Sequence, residues 1–92
     1  MKFPFLDAPN TATIICNHIL EHDADILYVS HDEDDGMWQF LCGGAHGIDD
    51  ARLISLEEVL ALDNSVEKIA DLPLGYTATR KNTAAKWKVG KR

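Results

Sequence analysis

The chain predicts a small α+β domain: a mostly antiparallel sheet of about four to five strands with one or two short helices packed on one face. Three observations carry that prediction. Short runs rich in β-branched and aromatic residues recur along the first half and near the end of the chain. One segment, Ser55–Asp63 ("SLEEVLALD"), has the spacing of a capped helix. At 92 residues the chain has the size of one domain, 1–92, with an N-terminal arm over 1–10 and a basic C-terminal tail over 82–92.

Taken in order, Thr11–Cys16 ("TATIIC") predicts a strand, and the polar residues of Asn17–Asp23 predict a turn or helical loop. Asp25–Ser30 ("DILYVS") predicts a central strand, because apolar side chains fall on both of its faces. Asp32–Gly36 ("DEDDG") turns the chain. Met37–Cys42 ("MWQFLC") then returns as a third strand, with Trp38, Phe40 and Cys42 on one face and Met37, Gln39 and Leu41 on the other. Three glycines within Gly43–Asp50 predict an irregular loop. In the helix that follows, Ser55 and Glu58 stand at capping-box spacing. Leu56, Val59, Leu60 and, at the edge, Leu62 form its apolar stripe. Val66, Ile69 and Leu72 continue inward in a shorter helical turn that Pro73 stops. Gly75–Lys81 predicts a strand, and Lys86–Val89 predicts an edge strand anchored by Trp87 and guarded by lysines.

Composition narrows the function. An apolar fraction of 46% and a charged fraction of 26% are ordinary for a globular protein. No apolar run approaches the roughly 18 residues of a membrane span. Pro4, Asp7 and Pro9 interrupt the N-terminal segment before a signal-peptide core forms, which points to the cytoplasm. The net charge of −6 conceals a division. Residues 1–79 carry all 15 acids against Lys2, Arg52 and Lys68, a charge of −12, whereas residues 80–92 carry six basic residues and no acid. An acidic body repels phosphate, so nucleic acid is not the expected partner. A basic tail lying on its own body or on an acidic partner fits better, with a solvated basic end that aids solubility as the equal alternative. A basic protein partner suits the acidic body, and Asp32, Glu33, Asp34, Asp35 and Trp38 are the expected contacts: clustered carboxylates speed encounter, and Trp anchors interfaces.

Chemistry-bearing residues are few. Cys16, His18, Cys42 and His46 make up the two-Cys, two-His inventory of many structural zinc sites. Their spacing lacks the Cys-x-x-Cys pairs of zinc knuckles, and each Cys closes a core-rich strand. Two buried thiols and no cofactor are therefore the expectation, with a metal-binding regulatory domain as the alternative. "DEDDG" lacks the alternating acids and distant Glu of a calcium loop. Cys42 has a His nearby but an acidic neighbourhood that disfavours thiolate, and no phosphate loop or nucleophile elbow is present. No catalytic residue is expected. Phe3 and Phe5 on the arm need cover, from the chain itself or from a second copy; the latter would make a housekeeping homodimer.

At "WQFLCG" and "LDNSVEKIADLPLGYTATR" the chain resembles a family of small bacterial domains predicted to be immunity protein 33 of polymorphic toxin systems. The matching positions are Trp38, Phe40, Gly43, Asp71, Pro73, Gly75 and Arg80, within a span from about Ile14 to Trp87. The resemblance implies an α+β fold and neutralisation of a toxin by binding, without catalytic residues.

Overall fold

The computed structural model describes residues 3–21, 24–43 and 50–91. Its elements are β1 (Ala12–Cys16), α1 (Asn17–Glu21), β2 (Tyr28–His31), β3 (Trp38–Leu41), β4 (Ala51–Ser55), α2 (Leu56–Leu62), a 3-10 helix (Asn64–Ile69), β5 (Tyr76–Thr79) and β6 (Lys88–Lys91). The strands form one six-stranded sheet in the order β4-β1-β3-β2-β5-β6. Every pairing is antiparallel except β1 with β3. The α+β class is thus as the sequence predicts, with one strand more than expected. Among the described residues no helix is long and apolar enough to cross a membrane.

The additional strand is β4, "ARLIS", which immediately precedes the capped helix. Its five residues pair along the whole of β1. Burial explains why it is hard to read: Ala51, Arg52 and Leu53 are exposed, so an edge strand here lacks the in-out alternation that marks a half-buried one. Arg52 on this edge pairs with Glu21 of α1 at 3.4 Å. The opposite edge is β6, whose side chains are all exposed and include Lys88 and Lys91, a composition that discourages pairing with another chain.

Cross-strand register gathers Ile15, Phe40, Val29 and Ala78 onto one face of the sheet, since each is opposite the next in the ladder. All four are inaccessible to solvent. Leu56 and Val59 of α2, Val66 and Ile69 of the 3-10 helix, and Leu72 close the core with them. Leu60 is half-buried and Leu62 exposed, so the apolar stripe of α2 is narrower than its sequence predicts. On the other face Ile14, Gln39, Leu41, Tyr28, Thr77 and Thr79 are only partly covered.

The arm belongs to the core. Phe5 is buried and meets the Trp38 ring edge to face, with centroids 5.0 Å apart, a geometry in which the ring quadrupoles attract. Phe3 lies 5.8 Å from Phe5. Ser55 caps α2 as its spacing predicts: its hydroxyl accepts the Glu58 N–H at 3.2 Å, and the Ser55 N–H donates to the Glu58 carboxylate at 3.1 Å.

Candidate functional site

Three places gather charged or chemically reactive side chains: the tip of the β2–β3 hairpin, a charge network around Arg80 just after β5, and a thiol–imidazole cluster at the ends of β1 and β3.

The tip is the acidic stretch. The Gly36 N–H donates to the Asp32 carbonyl at 2.9 Å, and the Asp32 N–H donates to the Met37 carbonyl at 2.8 Å. Gly36 has φ +73°, a left-handed conformation that a side chain disfavours. The turn presents Glu33, Asp34 and Asp35 to solvent. Asp32 is partly covered, and its carboxylate accepts from Ser30 Oγ and Gln39 Nε2. Gly75 lies close enough to this turn that a Cβ there would stand 3.2 Å from the Glu33 carboxylate. Lys91 shares the same surface recess as Asp32–Asp35 and Gly75, because β6 returns alongside β5 with Lys91 opposite Tyr76.

Trp38, expected among the partner contacts, is not at this surface. It is 2% exposed, held between Phe5 and the His31 ring, which stacks on it at 4.0 Å. The period-two pattern that places Trp38 with Phe40 also turns it inward, and His31 is fixed over it by a 2.7 Å hydrogen bond to the Leu72 carbonyl. An open groove of about 460 Å³ passes beside this stack, lined by Leu6, Leu72, Pro73 and Leu74 and reaching Gly36 at the end of the acidic turn. Leu6 is fully exposed and Leu74 about half exposed.

The charge network centres on Arg80. Its Nε donates to the Ile26 carbonyl at 3.0 Å, Nη1 to Ser65 Oγ at 2.8 Å, and Nη2 to the Asp63 carboxylate at 2.7 Å. Trp87 covers the guanidinium at 4.1 Å, a cation–π contact. Asp63 also accepts the Ser65 N–H at 3.0 Å and hydroxyl at 2.6 Å, capping the 3-10 helix. Burial works to raise the Asp63 carboxyl. The Ser65 hydrogen bonds and the Arg80 charge outweigh it and hold the group below the usual carboxylate range. Arg80 is therefore a core residue, and the basic character of the tail rests on the four lysines and Arg92 beyond it. The "DNS" of residues 63–65 was a readable capping signal; its union with Arg80 was not.

The third place joins Cys16, His18 and Cys42. Parallel pairing of β1 with β3 sets Ile15 against Phe40, so the carboxyl ends of the two strands lie side by side and Cys16 and Cys42 leave them together. The helix α1 begins at once after β1 and brings His18 back over the gap. One ligand atom from each of the three residues lies within 4.8 Å of the others, and Cys42 Sγ is 3.7 Å from His18 Nδ1. Cys16 is buried, while Cys42 and His18 are half-buried. Burial pushes the Cys16 thiol up and contact with the Cys42 side chain adds to this, while the backbone amides of Cys42 and Ile19 act in the opposite sense. The expectation of two buried thiols is thus met at Cys16 but only half met at Cys42. His46 lies outside the described residues. No protein-family model, curated protein or solved structure matches the chain.

Proposed function

We propose that the protein is a non-enzymatic binding module that takes a basic protein partner on the face formed by the acidic turn and the adjoining apolar groove. The observation that carries this reading is their adjacency: Gly36 ends the turn and lines the groove that contains Leu6 and Leu74, while Glu33–Asp35, the residues just before it, line a neighbouring recess. An apolar centre beside a charged rim is the common anatomy of a protein interface, the rim guiding encounter and the centre holding the complex.

The resemblance to the immunity protein 33 family supplies the class of partner, a toxin domain with a basic cleft. Several of the residues that carry it are occupied with the fold: Trp38 and Phe40 fill the core, Gly75 takes a left-handed turn and Arg80 is sealed. Those motif residues therefore speak for architecture, and recognition falls to the surface residues between them.

The test begins with a partner captured from the native host and identified as a basic protein. The double variant Asp34→Lys/Asp35→Lys slows its association at least about tenfold, and added salt slows the wild type in the same way. Leu6→Glu speeds dissociation. The control Glu57→Lys/Glu67→Lys carries the same charge change on exposed sites elsewhere and leaves specific binding intact. A salt-independent association rate, or equal loss in the control, removes this reading.

A further inference from the structure

We propose that Cys16, His18 and Cys42 form a zinc site that pins the ends of β1 and β3 to the start of α1. This site is independent of the partner surface described above.

The donor set is two thiols and one imidazole, the soft and borderline ligands that favour zinc over calcium or magnesium. The distances suit the ion. At zinc–sulfur bonds of about 2.3 Å and zinc–nitrogen bonds of about 2.0–2.1 Å, tetrahedral donors stand roughly 3.6–3.8 Å apart. Cys42 Sγ and His18 Nδ1 are already at 3.7 Å, and no pair among the three ligand atoms exceeds 4.8 Å. Closing the widest pair by about 1 Å lies within the reach of side-chain torsions, with no movement of the strands.

Cys16 is buried while Cys42 and His18 are partly open, so an ion can enter from one side without the core opening. Binding converts both thiols to thiolates and releases their two protons to solvent; His18 coordinates as neutral imidazole through Nδ1, with its proton on Nε2. Three protein donors leave a fourth position for water or another ligand. His46, outside the described residues, forms no part of the proposal.

Tight local turns are one way to bring zinc ligands together. Here the sheet supplies the proximity instead. Cys16 and Cys42 are 26 positions apart in the chain but leave neighbouring parallel strands at the same end.

Protein made without a His tag, reduced and stripped with a chelator, is titrated with Co2+ and then Zn2+. The expected result is one Co2+ per chain, with tetrahedral visible bands and thiolate-to-cobalt charge transfer in the near ultraviolet, displaced by Zn2+. Cys42→Ser and His18→Ala each lose at least about 100-fold in affinity, beyond the 10–100-fold typical of outer-shell changes. Because Cys16 is in the core and its variants are prone to misfold, these two carry the test, with circular dichroism to verify their fold. Zn2+ raises the melting temperature of the wild type and not of Cys42→Ser. A cobalt spectrum without thiolate charge transfer, or wild-type affinity in either folded variant, overturns the proposal. So does a reduced wild-type protein that takes up no metal.

Discussion

Asp63 and the Glu33–Asp35 turn present the same functional group in opposite settings. Asp63 accepts from Ser65 and Arg80 and lies at the junction of two helical segments. Glu33, Asp34 and Asp35 stand at a hairpin tip in solvent. A partly buried carboxylate met by several donors fixes the fold, because its hydrogen bonds are short, charge-assisted and costly to leave unmade. Exposed carboxylates add little to stability and remain available to a partner. Charge count alone therefore does not separate the carboxylates that hold this fold from those left at its surface; the partners of each charge do.

The largest expected effect comes from breaking the enclosed side. Arg80→Ala strands Asp63, leaves the Ile26 carbonyl without its donor and removes the cation over Trp87, so it costs about 3–5 kcal/mol in urea unfolding. Arg80→Lys recovers less than half of this, since an ammonium cannot reach Ile26, Ser65 and Asp63 with one planar fork. Recovery of full stability in the lysine variant would show that charge, not geometry, is what the network needs.

Next come the glycines that shape the exposed side. Gly75→Ala forces a side chain to adopt φ +82° and to crowd the Glu33 carboxylate, and costs about 2 kcal/mol. Gly36→Ala meets nothing within 4 Å and bears only the left-handed penalty of about 1 kcal/mol. Equal costs in chemical denaturation would mean that Glu33 yields freely.

Acid sharpens the comparison from the other direction. The Asp63 carboxyl is held below its ordinary range in the folded protein, so its contribution is present above the unfolded carboxylate pKa of about 3.9 and is lost as pH falls through the lower folded value. Thermal unfolding measured from pH 6 down to pH 2 therefore shows a decline below about pH 4 that is shallower in Asp63→Asn. The variant starts from lower stability at pH 6. An unchanged acid slope would assign the decline to other carboxylates.

The smallest effect on stability belongs to the turn itself. Asp34→Lys/Asp35→Lys changes unfolding free energy by no more than about 0.5 kcal/mol, as exposed substitutions usually do, although the same variant carries the largest effect on partner association. A substantial loss of stability would mean that the turn serves the fold, and the contrast with Asp63 would fail.

Much of the architecture was readable because it is local. The Ser55–Glu58 cap, the hairpin around "DEDDG", and the strands ending at Cys16 and beginning near Trp38 all follow from residues a few positions apart, whose periodicity and turn chemistry act without the rest of the chain. The burial of Arg80 was not legible, because it depends on Ile26, Asp63 and Trp87 arriving from elsewhere in the chain. The partner expectation for Trp38 failed because residue type suggests an anchor, while solvent access depends on Phe5 and His31 arriving from elsewhere.

The sequence by itself determined the α+β class, the capped helix, the acidic turn and the imbalance of charge, each a property of composition or short-range spacing. Tertiary structure alone decided that Arg80 closes on Asp63, that the acidic turn borders an apolar groove, and that Cys16, His18 and Cys42 meet. These depend on the order of strands in the sheet, above all on β1 lying parallel to β3. That order follows from how the whole chain buries its apolar faces at once, which no short window of sequence contains.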